Sequence, residues 1–189
     1  MEFTPDRPIE TERLRLRPFS RGDVDAIHAY RSREDVARFL FDEPMSREAC
    51  AEAVQARVGQ VSWAEEGDKI LLAVERRDDA AMIGEVVLVL RSVDSRQAEL
   101  GYIFNPVYFG QGYATEAGRA LLAIGFDHAG FHRIYARCHA QNVASRRVMD
   151  RLGMREEAHF REHRFVKGAW DEELICAILE DEWRLQFVR

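Results

Sequence analysis

Residues 104–116 read FNPVYFGQGYATE, with Gly110 and Gly112 one residue apart just ahead of an alanine-rich run of helical spacing. The first N–H groups of a helix have no partners within it, and the helix dipole favours negative charge at that end. The two glycines remove Cβ atoms at that junction, Ala114 is the next smallest choice, and Thr115 adds a hydroxyl. These features suit a phosphate approaching the amides of residues 110–115, the segment Gly110, Gln111, Gly112, Tyr113, Ala114 and Thr115. They equally suit an ordinary glycine turn closing a strand. Two familiar phosphate loops are excluded. A dinucleotide fingerprint needs a third glycine where Thr115 stands, and no Gly-Lys pair followed by Ser or Thr is present.

Other reactive side chains form no recognisable constellation by spacing alone. Cys50, Cys138 and Cys176 are odd in number and far apart, and no Cys/His pair has metal-ligand spacing, so neither a disulfide framework nor a metal site is expected. His128 and His132 flank the C-terminus of the helix that the glycines open, where positive charge suits the dipole, and they read as structural. The chain carries 33 acidic and 27 basic side chains, a net charge of −6, which argues against a nucleic-acid binder. Neither a secretory signal nor an apolar run long enough for a membrane helix is expected, and the cytoplasm is the default location.

The elements that must position these residues follow from periodicity. RLRLR at 13–17 alternates strictly, as a half-buried strand does, and Pro18 ends it. Ser20 and Asp23 form a capping pattern ahead of a helix through Val24, Ile27 and Arg31. A second helix opens at Ser46, with Cys50, Val54, Val58 and Val61 on one side. Strands at 70–74, 82–90 and 98–104, joined by short polar turns, imply an antiparallel meander. A helix over 113–128, a strand over 134–138, a short helix over 145–152 ended by Gly153, and strands at 155–166 and 174–179 around the turn Lys167-Gly168 complete the chain. With no repeat or linker, the reading is one α/β (α+β) domain over residues 1–189 with a mixed sheet.

Four ordered blocks give a sharper reading: IETERLRLRPF at 9–19, AELGYIFNPVYFGQGYATEA at 98–117, HAQNVASRRVMDRLGM at 139–154 and KGAWDEELICAILEDEW at 167–183. Together they resemble the GNAT superfamily of acyl-CoA-dependent N-acetyltransferases, and in particular the ribosomal-protein N-terminal acetyltransferase branch. The resemblance implies a mostly antiparallel central sheet of about seven strands, splayed in the middle and flanked by about four helices. It implies acetyl-CoA as co-substrate, an amine acceptor, and a homodimer as a possibility because the family often pairs. The family's phosphate loop aligns on Phe109 through Ala114, with an aromatic at Phe109 where most members carry Gln or Arg.

The resemblance also assigns residues. The pantetheine arm pairs with backbone of Tyr102, Ile103 and Phe104. Asn142 hydrogen-bonds the pantetheine, Ser145 stands near the thioester sulfur, and Arg146 either reaches a CoA phosphate or is a solvated helix arginine. An amine attacks the thioester directly, and a backbone N–H near Ile103 receives the oxyanion. Many members place a tyrosine seven residues after the asparagine as acid to the leaving thiolate; here that position is Met149. Glu99, on the strand that should line the cleft, is the first candidate base, with Glu162, His163 and His139 as further candidates. A site without an obvious base favours an α-amine, with an ordinary pKa of about 7.8, over a lysine-type amine near 10.4. The acceptor is then a protein N-terminus or a small-molecule amine. Alternatives are an aminoglycoside-type acceptor, which the overall acidity would suit, a non-catalytic acyl-CoA-binding module, and a protein-interaction domain in which the glycines are only a turn.

Overall fold

A computed structural model describes residues 8–40 and 42–186. Eight strands form one sheet: β1 (Ile9–Glu10), β2 (Leu14–Pro18), β3 (Lys69–Arg76), β4 (Met82–Ser92), β5 (Gln97–Phe104), β6 (Arg133–His139), β7 (Arg155–Val166) and β8 (Ala169–Leu179). Their spatial order is β1-β2-β3-β4-β5-β6-β8-β7. Every neighbouring pair is antiparallel except β5 and β6. A parallel pair needs a crossover, and α4 (Tyr113–Ala123) supplies it, continued by a wider π turn at Ile124–His128. The remaining helices are α1 (Val24–Arg31), α2 (Glu34–Ala37), α3 (Arg47–Arg57), α5 (Val143–Arg151) and α6 (Glu180–Leu185).

The mixed, mostly antiparallel sheet agrees with the expected α/β arrangement, with one more strand and two more helices than anticipated among the described residues. Strand β1 and helices α2 and α6 are too short to impose a period on the sequence. The second helix does begin at Ser46, whose hydroxyl accepts from the Ala49 amide, but it ends at Arg57. Val61, expected on that helix, instead bridges Ile70 at the edge of the sheet. Strand β8 starts at Ala169, five residues earlier than its apolar run suggested.

Helices cover both sheet faces. Leu121, Leu122 and Phe126 from α4 and its extension pack with Val86, Leu88, Leu100 and Ile134 in the main core. Ile27 and Tyr30 from α1, and Cys50 and Val54 from α3, cover Leu71 and Ala73 on the opposite face. Strand β3 is therefore buried along nearly its whole length, as expected of a strand between two layers. The β7–β8 hairpin turns at Lys167 and Gly168, both with positive φ (51° and 75°), the geometry that matches strand twist.

Candidate active site

Three features converge on the middle of the sheet: an open helix N-terminus, a break in strand pairing and a charged cleft. The first is built from the opening glycines. Gly110 and Gly112 both lie in the left-handed region, at φ 77° and 83°, and Gly112 is the N-cap of α4 with no side-chain cap. A Cβ at Gly110 would meet nothing within 4 Å. Backbone conformation, rather than crowding, calls for glycine here, and it leaves the amides of the first turn uncovered.

The loop is held from β2's side. Arg13 Nη1 donates to the Gln111 carbonyl at 2.9 Å, the guanidinium lies 4.7 Å over the Tyr113 ring, and it pairs with Glu116 at 2.6 Å. The Glu116 carboxylate also accepts from the Thr11 hydroxyl and the Arg13 amide. Burial opposes its charge, yet these donors hold the Glu116 carboxyl below its ordinary value. At the start of the same helix the Thr115 hydroxyl is buried without a partner. Uncapped amides, open space at Gly110, the Arg13 guanidinium 3.6 Å from where a Gly112 Cβ would stand, and a hydroxyl without a partner among the described residues fit a diphosphate group.

The second feature is the break. Strands β5 and β6 pair only over Gln97–Leu100 and Arg133–Ala136. Beyond that, Gly101–Phe104 pair only with β4, and Arg137–His139 only with β8. Tyr102 reaches across the opening to α5, its hydroxyl 2.8 Å from Ser145 Oγ and 3.0 Å from the Ser145 carbonyl oxygen. Asn142 caps α5, its Oδ1 accepting from the Ser145 amide at 3.0 Å, which fixes where the Ser145 hydroxyl sits. Burial pushes the Tyr102 phenol well above its ordinary value, pushes the Cys138 thiol up, and raises the Cys176 thiol to about 11. All three keep their protons near neutral pH. Met149 is buried at 1% exposure in the core, while Arg146 is half exposed and pairs with Glu156 at 3.0 Å.

The third feature is a cleft of about 500 Å³ on the opposite side of the break. Its floor is the face of β3, β4 and β5 that carries Lys69, Leu71, Glu85, Val87, Glu99, Gly101 and Ile103. Glu99 is firmly held there. Its Oε2 accepts from Arg91 and from the Tyr135 hydroxyl, and its Oε1 accepts from Arg137 at 2.8 Å. His139 accepts the Gln141 amide at Nδ1, which leaves Nε2 as the protonated nitrogen, 3.5 Å from Asp171. His163 lies 3.7 Å from Glu173, and Glu162 is exposed at a bulge of β7 with φ 49°.

Sequence reasoning missed Glu85. It is 3% exposed, pairs with Arg31, and has Arg57 Nε 3.1 Å from its Oε2, although that approach lacks the alignment of a hydrogen bond. Glu85 lies directly opposite Ile103 in the β4–β5 register. The available signal was its place as the single charged residue in MIGEVVLVL. A carboxylate in an apolar strand must find a partner, because buried charges are costly when unpaired.

With that geometry in place, relatives can be compared. Residues 13–155 match the family described as Acetyltransferase (GNAT) domain. The chain belongs to the GNAT acetyltransferase family. This GNAT chain is 35% identical over 175 residues to the Bacillus subtilis protein named uncharacterized N-acetyltransferase YnaD, covering 93% of the chain and 98% of that relative. A Bacillus anthracis acetyltransferase of the GNAT family superposes with a TM-score of 0.82 at 33% identity, covering 92% of this chain and 99% of that one. The spermidine N-acetyltransferase from Vibrio cholerae, solved with CoA and spermine, shares the fold with a TM-score of 0.77 at 24% identity, covering 92% and 99% of the two chains. GNAT acetyltransferases use acetyl-CoA, and this GNAT protein is an acyl-CoA-dependent N-acetyltransferase. Among the described residues no cluster of side chains could hold a metal ion, and no helix is long and apolar enough to cross a membrane.

Proposed function

We propose that this N-acetyltransferase moves the acetyl group to a primary α-amine, of a protein N-terminus or a small molecule, by direct attack on the thioester. The observation that carries this reading is the break between β5 and β6. It opens a passage between the uncapped start of α4 on one side and the cleft on the other. The amides of residues 110–115, with the Thr115 hydroxyl, hold the diphosphate. The free backbone edge of Tyr102, Ile103 and Phe104 receives the pantetheine arm, and Asn142 and Arg146 are within its reach. The Ile103 amide is the donor for the developing oxyanion.

Ser145 and Tyr102 together serve the leaving thiolate. The Tyr102 hydroxyl sits 2.8 Å from Ser145 Oγ and 3.0 Å from the Ser145 carbonyl oxygen. When its one hydrogen is given to Oγ, the serine's own hydrogen is free to turn toward sulfur. Because burial keeps the phenol protonated, the pair stabilises the thiolate by hydrogen bonding without surrendering a proton. This arrangement substitutes for the acid missing at Met149. Tyr102→Phe should lower kcat about tenfold, equivalent to one hydrogen bond of roughly 1.4 kcal/mol, with little change in KM for acetyl-CoA. An unchanged kcat would confine Tyr102 to packing.

For the proton leaving the amine, Glu85 is the better-placed acceptor than Glu99. Glu99 lies four residues along β5 from Ile103, about 13 Å at strand spacing, and its Oε2 is filled by donors. Glu85 faces Ile103 across the strand pair and its Oε2 lacks an aligned hydrogen bond. The arginines beside Glu85 also disfavour a second positive charge, which keeps the incoming amine neutral. The test is a panel of N-terminal peptides, amino acids, polyamines and an aminoglycoside, followed by release of free thiol from acetyl-CoA. Turnover of α-amines is expected, and turnover confined to side-chain-type amines would refute the α-amine reading.

A further inference from the structure

The cleft carries a charge opposite to that of the whole protein. The chain has a net charge of −6, yet seven arginine and lysine side chains line the cleft against four carboxylates, an excess of three positive charges. All four carboxylates are engaged. Glu85 is shared by Arg31 and Arg57, Glu99 is held by Arg91 and Arg137, and Asp171 and Glu173 both accept from Arg164. Apart from Glu85 Oε2, which faces the reacting end, no carboxylate among the described residues of the cleft is left over to receive a second positive charge on a ligand.

Three cations remain without a carboxylate partner among the described residues: Arg38, Lys69 and Lys167. The Lys167 ammonium donates to the Ala37 and Asp42 carbonyls at 2.8 and 2.7 Å, which fastens the β7–β8 turn against the segment that follows α2. Among the described residues Arg38, on that segment, meets the Gln141 side chain at 3.5 Å and the Phe39 ring. Lys69 stands at the other end of the floor, at the start of β3. The positive groups thus belong to the rim and the far end, while Glu85 lies opposite Ile103 at the reacting end.

We infer that the acceptor is an amine carrying its own carboxylate, whose negative charge is received by Arg38 and Lys167 at the rim or by Lys69 at the far end. This rests on reading the cleft as the acceptor site of the proposed reaction. A polyamine, positive at both ends, would bring like charge against unpaired cations and is disfavoured. An acidic N-terminal peptide and a free amino-dicarboxylate share the required chemistry.

The experiment compares kcat/KM, by thiol release, for three peptides identical except that positions two and three are both Glu, both Gln or both Lys, alongside free glutamate and spermine. At low salt the acidic peptide should exceed the neutral one, and the neutral one the basic one, by about tenfold at each step, with the spread shrinking as salt rises. Faster turnover of glutamate than of the acidic peptide would identify the small molecule as the source of the carboxylate, and the reverse would identify a protein N-terminus. Arg38→Glu and Lys167→Glu, if the rim receives the carboxylate, or Lys69→Glu, if the far end does, should compress or invert the peptide order while CoA affinity by calorimetry stays near that of the parent. Lys167→Glu also lowers the melting temperature, because it loses the two bonds to the Ala37 and Asp42 carbonyls. An order that is flat or reversed in the parent, or unmoved in all three variants, overturns the inference and leaves the acetyltransferase reading intact. Absence of thiol release with every amine, despite CoA binding, overturns both.

Discussion

Replacing Glu85 with alanine should lower the melting temperature by roughly 6–20 °C. The carboxylate is 3% exposed and sits between Arg31 and Arg57. Its removal leaves two largely buried guanidiniums without a counter-charge, and breaking a buried pair in this way costs about 3–5 kcal/mol. For a domain of this size each kcal/mol moves the midpoint by about 2–4 °C. Arg31 retains only a distant contact with the exposed Asp42, at 3.8 Å. Glu85→Gln keeps the shape and isolates the chemical role. If Glu85 receives the amine proton, the glutamine variant should lose about a hundredfold or more in kcat, within the range typical of general bases, while binding CoA as the parent does. A melting temperature that falls with kcat and its pH dependence unmoved would make Glu85 purely structural and send the proton to water.

Gly112→Val should weaken CoA binding at least about a hundredfold. At φ 83° a β-branched residue is a conformational outlier, so the loop must shift and carry the first amides of α4 with it. Losing one or two hydrogen bonds to a charged phosphate, at about 1.5–3 kcal/mol each, accounts for a change of that size. Gly130→Val supplies the control. Gly130 has φ 66° and open space around its missing Cβ, so the substitution imposes comparable backbone strain without touching the cradle. Calorimetry should find CoA affinity lost in the first variant and kept in the second. Equal losses, or none in either, would remove the phosphate role of the glycine pair.

The strand meander, the helix after the glycines and the Lys167-Gly168 turn were legible because each depends on residues close in sequence. Strict alternation in RLRLR and an apolar run in MIGEVVLVL survive any change of context. The beginning of β8 was not legible: Asp171 and Glu173 look like loop residues until Arg164, on the neighbouring strand, is seen to donate to both. The phosphate cradle could be proposed from glycine spacing, but its retention by Arg13 and Glu116 joins residues about a hundred positions apart. The charge of the cleft was hidden for the same reason. It is assembled from six strands, two helices and two connecting segments, and the composition of the whole chain suggested the opposite sign. The divergence of β5 from β6 has no local signature beyond Gly101, because it is a relation between two strands separated by a helix.

That divergence gives the sheet an extra pair of edges in its interior. The amides and carbonyls of residues 101–104 that face β6, and those of 137–139 that face β5, lack the ladder that protects their neighbours. In amide hydrogen exchange these short stretches should open far more readily than residues 97–100 and 133–136 beside them. The donor's arm, laid between them, closes the ladder. Its arrival therefore joins two half-sheets mechanically, and slowed exchange on both sides of the seam should report that union even in parts of the chain that the ligand never touches.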